Sequence, residues 1–264
     1  MRQSAAIFGS LALVFVLSGA ADSRPATAVA APARASVSAA APVVPGIAAD
    51  TAGRELEAEV TSALEALSRF VATSSHPDAL RSAFHAYFAF KADNPGRVRK
   101  PYLYFVDYGL SNSTRRGYVF DMETLALVDG PFTVAHGRGS SRGRNGVPSR
   151  FSNRPGSAMT SLGLYVTQET YGFVGHAGGR TYRSVGLRLQ GVSGDFNDAA
   201  RSRGVVAHGA PYMSARDAGR SEGCPALEER RAQRLLPMIA NGALVFLYSP
   251  NDSVWLDQDP WVNG

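Results

Sequence analysis

"PYLYFVDYGLSNSTRRGYVFDMETLALVDGPFTVAHG", residues 101–137, is the stretch whose reading decides the architecture. It divides into short runs, PYLYFVDYG, RGYVFDME, TLALVD and PFTVAHG, rich in Tyr, Phe, Val and Leu and parted by Gly, Asn, Ser and Pro. Such residues suit a pleated, half-buried surface and the punctuation is that of turns, so each run is predicted as a strand. The texture returns in LGLYVTQE (162–169), SVGLRLQG (184–191), RGVVAHG (203–209) and ALVFLYS (243–249). Among these, ALEERRAQRLLPMIA (226–240) alone reads as a helix. The expected fold class is mainly β with flanking helices, an α+β domain of sandwich or barrel-like type.

Upstream the periodicity changes. Leu56, Val60, Leu64, Leu67 and Val71 recur at steps of three and four, which predicts a helix over 54–72. A second runs from Ala79 to about Lys91, presents Leu80, Phe84, Tyr87 and Phe88 on one side, and is ended by Asn94-Pro95-Gly96. The chain opens with Arg2, an apolar run over 5–16 and small residues through Ala21, the pattern of a secretory signal peptide. That run is shorter than the roughly 20 residues a bilayer span needs. The expected organisation is therefore a signal peptide (1–21), an Ala/Pro-rich disordered linker (22–52), a helical extension (53–98), a catalytic domain (99–252) and a C-terminal tail (253–264).

The formal net charge is +5, but the basic residues are scattered and lack aromatic interleaving, so no nucleic-acid platform is expected. An exported basic protein meets an anionic wall polymer, or is simply soluble. The Arg-rich segment 138–160 is either a substrate-facing loop or a solvated insertion. The five histidines form no HxH, HExxH or similar pattern and there is no CxxC, so no metal site is expected. No GxSxG elbow marks a serine nucleophile.

What is left is the one cysteine, Cys224, in VVAHGAPYMSARDAGRSEGCPAL (205–227). A single cysteine makes no internal disulfide, and in an oxidising compartment a lone thiol is a liability unless it is buried or used. A thiolate needs an imidazole, backbone N–H groups or a helix N-terminus nearby. His208 ends a predicted strand sixteen residues earlier, the amides of Gly223 and Cys224 are candidates for an oxyanion hole, and the helix expected from Ala226 brings its positive end close. Local chemistry alone leaves two readings, a thiol catalyst or a buried small apolar residue.

His208-Gly209 followed by Ser221-Glu222-Gly223-Cys224 resembles the YkuD-type L,D-transpeptidase signature. Thr160-Ser161-Leu162-Gly163-Leu164-Tyr165-Val166 resembles a second family segment, in the expected order after Val134–Gly137. Glu222 stands where most of that family has histidine, and Pro225-Ala226 where most has an apolar residue then Arg or Asn. Together with SNRPGS and FND, this is similar to a murein L,D-transpeptidase subfamily with an N-terminal helical stretch, over about residues 55–250.

The resemblance implies Cys224 as acylating nucleophile, His208 as base, the Gly209 carbonyl as its orienting partner, and the Gly223 and Cys224 amides as oxyanion donors. Arg220, Ser221 and His136 are the nominated substrate contacts; Arg220 and Ser221 equally suit a role in fixing the nucleophile loop, and His136 that of an ordinary polar residue at a strand end. Implied partners are donor and acceptor peptidoglycan stem peptides and carbapenem-type inhibitors, with no cofactor and a location in the periplasm or cell envelope. A 3–3 or a 1–3 cross-link remains open. So do hydrolysis of the same thioester, as in an L,D-carboxypeptidase or endopeptidase, and a catalytically inactive wall-binding protein.

Overall fold

The computed structural model describes residues 45–143 and 146–262. The expected signal peptide and most of the expected linker, residues 1–44, lie outside them. The last eight linker residues do not belong to a tether: α1 spans Pro45–Leu67. Proline is tolerated in a helix's first turn, and the alanines that follow are strong helix formers, so the same composition that reads as unstructured propagates a helix once α1 can dock. Val60, Ala63 and Leu67 are the buried face of α1, and a short 3-10 turn, Ser68–Phe70, ends it. α2 (Ala79–Asp93) buries Leu80, Phe84, Tyr87 and Phe88 as predicted, with Phe84 edge-on to Phe120 at 5.7 Å.

Among the described residues ten strands follow: β1 (Tyr102–Asp107), β2 (Gly117–Asp121), β3 (Ala126–Phe132), β4 (His136–Gly137), β5 (Gly163–Ala177), β6 (Arg180–Gly191), β7 (Val206–Ala210), β8 (Arg220–Ser221), β9 (Ala226–Glu228) and β10 (Leu244–Tyr248). Eight of them make one mixed sheet in the order β3-β2-β1-β10-β5-β6-β7-β9, and β4 pairs with β8 apart from it. β1 pairs with β10, β7 with β9, and β4 with β8 in parallel; the other neighbours are antiparallel. Every residue of β10 is buried, as suits a central strand covered on both faces.

Two local expectations change. The segment 226–240 begins as strand β9, and α3 starts only at Glu229 and runs to Ile239. Backbone pairing with β7 takes Ala226–Glu228 away from the helix that their side chains favour. After residue 252 the chain forms α4 (Ser253–Gln258), capped by the Asp252 carboxylate on the Trp255 N–H, and Trp255 is fully buried against Phe246 and Tyr248.

A buried cation organises the approach to β4. Arg116 is fully buried, and among the described residues no carboxylate lies at ion-pair distance from it. Its Nε and Nη2 donate to the Val134 carbonyl at 3.2 and 2.8 Å and its Nη1 to Leu110 at 2.6 Å, while the guanidinium lies 4.6 Å over the Tyr108 ring. Nη2 also meets His136 Nδ1 at 3.0 Å, and His136 Nε2 meets Ser141 Oγ at 2.8 Å. Because the arginine only donates, Nδ1 accepts and Nε2 carries the proton. His136 is 0 % exposed, so the expectation that it contacts substrate is corrected: both ring nitrogens are spent inside the fold.

Replacing Trp255 by alanine is expected to cost about 3–5 kcal/mol, read by denaturant unfolding. Burial, then Arg116 and Arg220, pull His136 down from 6.5 to about 3. The unfolded chain therefore takes up a proton at this residue before the folded one does, and stability falls as pH drops from about 6.5 towards about 3. His136→Asn, which can still accept from Arg116 and donate to Ser141, is expected to make that fall shallower in thermal melts; an unchanged slope contradicts the assignment.

Candidate functional site

Cys224 sits in a four-residue link, Glu222–Pro225, between two parallel pairings. Before the link, His136 pairs with Arg220 and Gly137 with Ser221, and the Arg138 N–H donates to Ser221 O at 2.7 Å. After it, Ala226 pairs with His208, the Ala135 N–H donates to Ala226 O at 2.9 Å, and the His208 N–H donates to Pro225 O at 3.3 Å. The pairing thus carries the backbone of His208 alongside the loop of Cys224. Sixteen residues of sequence separation collapse to neighbouring strands.

Ser221 spans the link. Its Oγ accepts from the Gly223 N–H at 3.1 Å and donates to Cys224 O at 2.6 Å, and the side chain is buried. Of the two roles open to Ser221, its bonds and burial are those of a brace for the loop rather than of an exposed substrate contact. Gly223 lies at φ +124°, and a Cβ there would come 2.8 Å from the Met159 carbonyl oxygen, so no other residue fits without backbone movement. The Gly223 amide, expected as an oxyanion donor, is spent on Ser221 in this state. The Cys224 N–H is engaged by no described residue.

The Cys224 side chain is half-buried and forms part of the wall of a cleft of about 400 Å3, with Pro155, Gly156, Ala158, Arg203, Gly204 and Glu222. The Arg-rich loop thus does face the cysteine, through Pro155–Ala158. Sγ lies 4.0 Å from Gly204 O, and the Val206 backbone donates to it. Burial raises the thiol above its ordinary value, against the lowering influence of Val206 and Arg203, and Glu222 raises it further. The dipole expected from the following helix does not reach Cys224, since β9 stands between them and the dipole's influence falls off within a turn.

His208 is 3 % exposed, and burial pulls it down from 6.5 to about 4. Its Nδ1 lies 3.0 Å from the Gly209 carbonyl oxygen, which fixes the proton on Nδ1 and leaves the Nε2 lone pair free to act as base. No hydrogen bond joins its ring to Sγ among the described residues, and at neutral pH both shifts favour neutral imidazole beside neutral thiol.

Glu222 binds Arg138, its Oε1 2.6 Å from Nε, on an exposed rim where such a pair contributes little stability. Arg220 is exposed, with its backbone held by β4. Two features escaped the sequence reading. Arg203 is half-buried beside Cys224 and donates to Ser152 O and Met159 O at 2.9 and 3.0 Å, pinning the loop that forms the cleft's other wall. β5 and β6 form a long hairpin whose outer half carries Phe173, stacked on His208; Gly178-Gly179, a strong hairpin-turn pair, was the available signal. Among the described residues no cluster of three or more His, Cys, Asp or Glu side chains is arranged to hold a metal ion.

No curated protein matches the chain. Among solved structures, an L,D-transpeptidase from Mycobacterium smegmatis is 15% identical, with 56% of this chain and 58% of that one covered and a TM-score of 0.34. L,D-transpeptidase 3 from Mycobacterium tuberculosis, solved with a faropenem-derived adduct, is 18% identical over 56% of this chain and 60% of its own, with a TM-score of 0.31. An L,D-transpeptidase from Stackebrandtia nassauensis is 14% identical over 66% and 69%, with a TM-score of 0.36. The chain thus spans less than two thirds of the length of the first two. The family model YkuD_2, the L,D-transpeptidase catalytic domain, matches residues 72–248. That span takes in the cleft, β7 and the Cys224 loop, and with it the chain belongs to the L,D-transpeptidase catalytic domain family.

Proposed function

We propose that the protein is an exported L,D-transpeptidase that acylates Cys224 with a peptidoglycan stem peptide and passes the acyl group to an amine of a second stem. One observation carries the reading. Within the family-matched span, the only cysteine forms part of a cleft wall, and the strand that follows it pairs with the strand of His208, whose Nδ1 is already tied to Gly209 O.

His208 Nε2 takes the thiol proton as Sγ attacks the donor carbonyl. The tetrahedral oxyanion falls to the Cys224 N–H, the amide with no internal partner. Collapse breaks the C–N bond to the terminal residue, whose amine leaves with the proton from His208, and a thioester remains. The acceptor amine then attacks the thioester and gives a proton to His208, and the thiolate departs and is reprotonated. Arg203 supplies the standing positive charge near Sγ, the part the helix dipole does not play. With Arg138 paired to Glu222, exposed Arg220, two residues before Glu222, is the cation offered to a stem carboxylate. Export rests on the residues that open the chain; no helix among the described residues is long and apolar enough to cross a membrane.

Incubated with disaccharide-tetrapeptide, the protein is expected to yield cross-linked dimers, identified by mass; tripeptide monomers alone would make it an L,D-carboxypeptidase instead. Imipenem is expected to add its mass to the wild type and not to Cys224→Ala, and a folded wild type left unmodified overturns the reading. Arg203→Ala removes a charge that lowers the thiol, so the pH at which acylation sets in is expected to rise and the rate at pH 7 to fall.

A further inference from the structure

Only the inner end of the β5–β6 hairpin is embedded in the sheet. β5 pairs with β10 through Gly163–Val166 and β6 with β7 through Gly186–Arg188, whereas the two strands pair with each other out to Ala177 and Arg180. In the strand register Tyr171 lies opposite Gly186, which lies opposite His208. Gly186 has no side chain to interpose. A Cβ there would sit 2.7 Å from the Tyr171 ring and 3.1 Å from Phe173 Cβ. The gap lets the Phe173 ring cross β6 and lie on the imidazole, with centroids 4.1 Å apart and planes 20° from parallel. Tyr182, from β6, completes the enclosure with its hydroxyl 3.5 Å from His208 Nδ1.

We propose that Phe173 is a positioning residue for His208: from the hairpin its ring fixes the plane in which the imidazole meets the Cys224 thiol and keeps water from that face. The proposal rests on the acyl-transfer reading for its catalytic meaning, and on the stack itself for its geometry. An imidazole held only by Nδ1 to the carbonyl of the next residue can still turn about that bond. A flat ring against its face removes this freedom, and orientation of a reacting pair is worth one to two orders of magnitude in rate. The titratable groups on this side of the imidazole are Tyr182 on β6 and Tyr212 bonded to it; the Cys224 thiol acts on both tyrosines and Glu229, at the start of α3, on Tyr182, while the dominant influence on His208 is burial.

The test compares Phe173→Leu, apolar but not flat, with Phe173→Tyr, which restores the stack, by NMR titration of the histidine rings. His208→Gln assigns the His208 signal, and carbapenem acylation is followed from pH 5 to 8. In the wild type the signal is expected to titrate far below the ordinary 6.5. In Phe173→Leu it moves up towards the ordinary 6.5, an acid limb enters the acylation profile, and the plateau rate falls about ten- to hundredfold. Phe173→Tyr keeps wild-type behaviour in all three. If Phe173→Leu loses thermal stability but keeps the titration and the plateau, the ring is packing only and the proposal fails. If the titration moves as expected while not even the wild type is acylated, the placement of His208 by Phe173 holds and the acyl-transfer reading fails.

Discussion

The Arg116 guanidinium is the charge on which the site's geometry hangs. Removing a cation from water is costly, and here the cost is offset by carbonyls and a ring face in place of a carboxylate. Those acceptors are not scattered. Arg116 grips the Val134 carbonyl and the His136 ring, and Tyr108, beneath the guanidinium, donates to Ala135 O at 2.9 Å. Residues 134–136 are thereby set in place, and from them run the pairing to β8 on one side of Cys224 and the Ala135–Ala226 bond on the other. A loop pinned at both ends to one buried anchor has little room to move its cysteine.

Electrostatically the site is restrained. Burial holds the thiol protonated and the imidazole unprotonated, and the nearest compensating charge, Arg203, divides its donors among the carbonyls and hydroxyls of the opposite wall. The proposed nucleophile and base thus rest as a neutral pair. Proton transfer between them separates charge in a low-dielectric pocket, where donors aimed at the developing oxyanion count for more than they would in water.

Strands made of compact apolar runs, such as Tyr102–Asp107 and Leu244–Tyr248, were legible because local composition and final environment agree. So were α2 and the ordered pair of motifs around His208 and Cys224. Arg116 was not: an Arg-Arg pair in a polar turn reads as surface, and only the acceptors gathered from residues 110, 134 and 136 make its burial tolerable. Ala226–Glu228 misled for a related reason, since helix-forming side chains yield there to backbone pairing with a strand sixteen or more residues away. Arg203 reads as one basic residue among many, because its role depends on carbonyls of a loop more than forty residues earlier in the chain. His136 misled in the opposite direction: it sits in the same Ala-His-Gly as His208 and is equally buried, but both of its ring nitrogens are engaged, by Arg116 and Ser141.

The position of β10 bears on how the chain reaches this state. Among the described strands it comes last in the sequence, yet it lies between β1 and β5, matching Leu103 to Leu244 on one side and Val166 to Leu244 on the other. Until it arrives, β3-β2-β1 and β5-β6-β7-β9 are two half-sheets, each with an open apolar edge, and α2 lacks part of the surface it packs on. Contacts so distant in sequence pay their loop entropy before any reward, which makes assembly slow and leaves those edges sticky while it proceeds. Folding of this domain therefore waits on β10, with the centre of the sheet closing last.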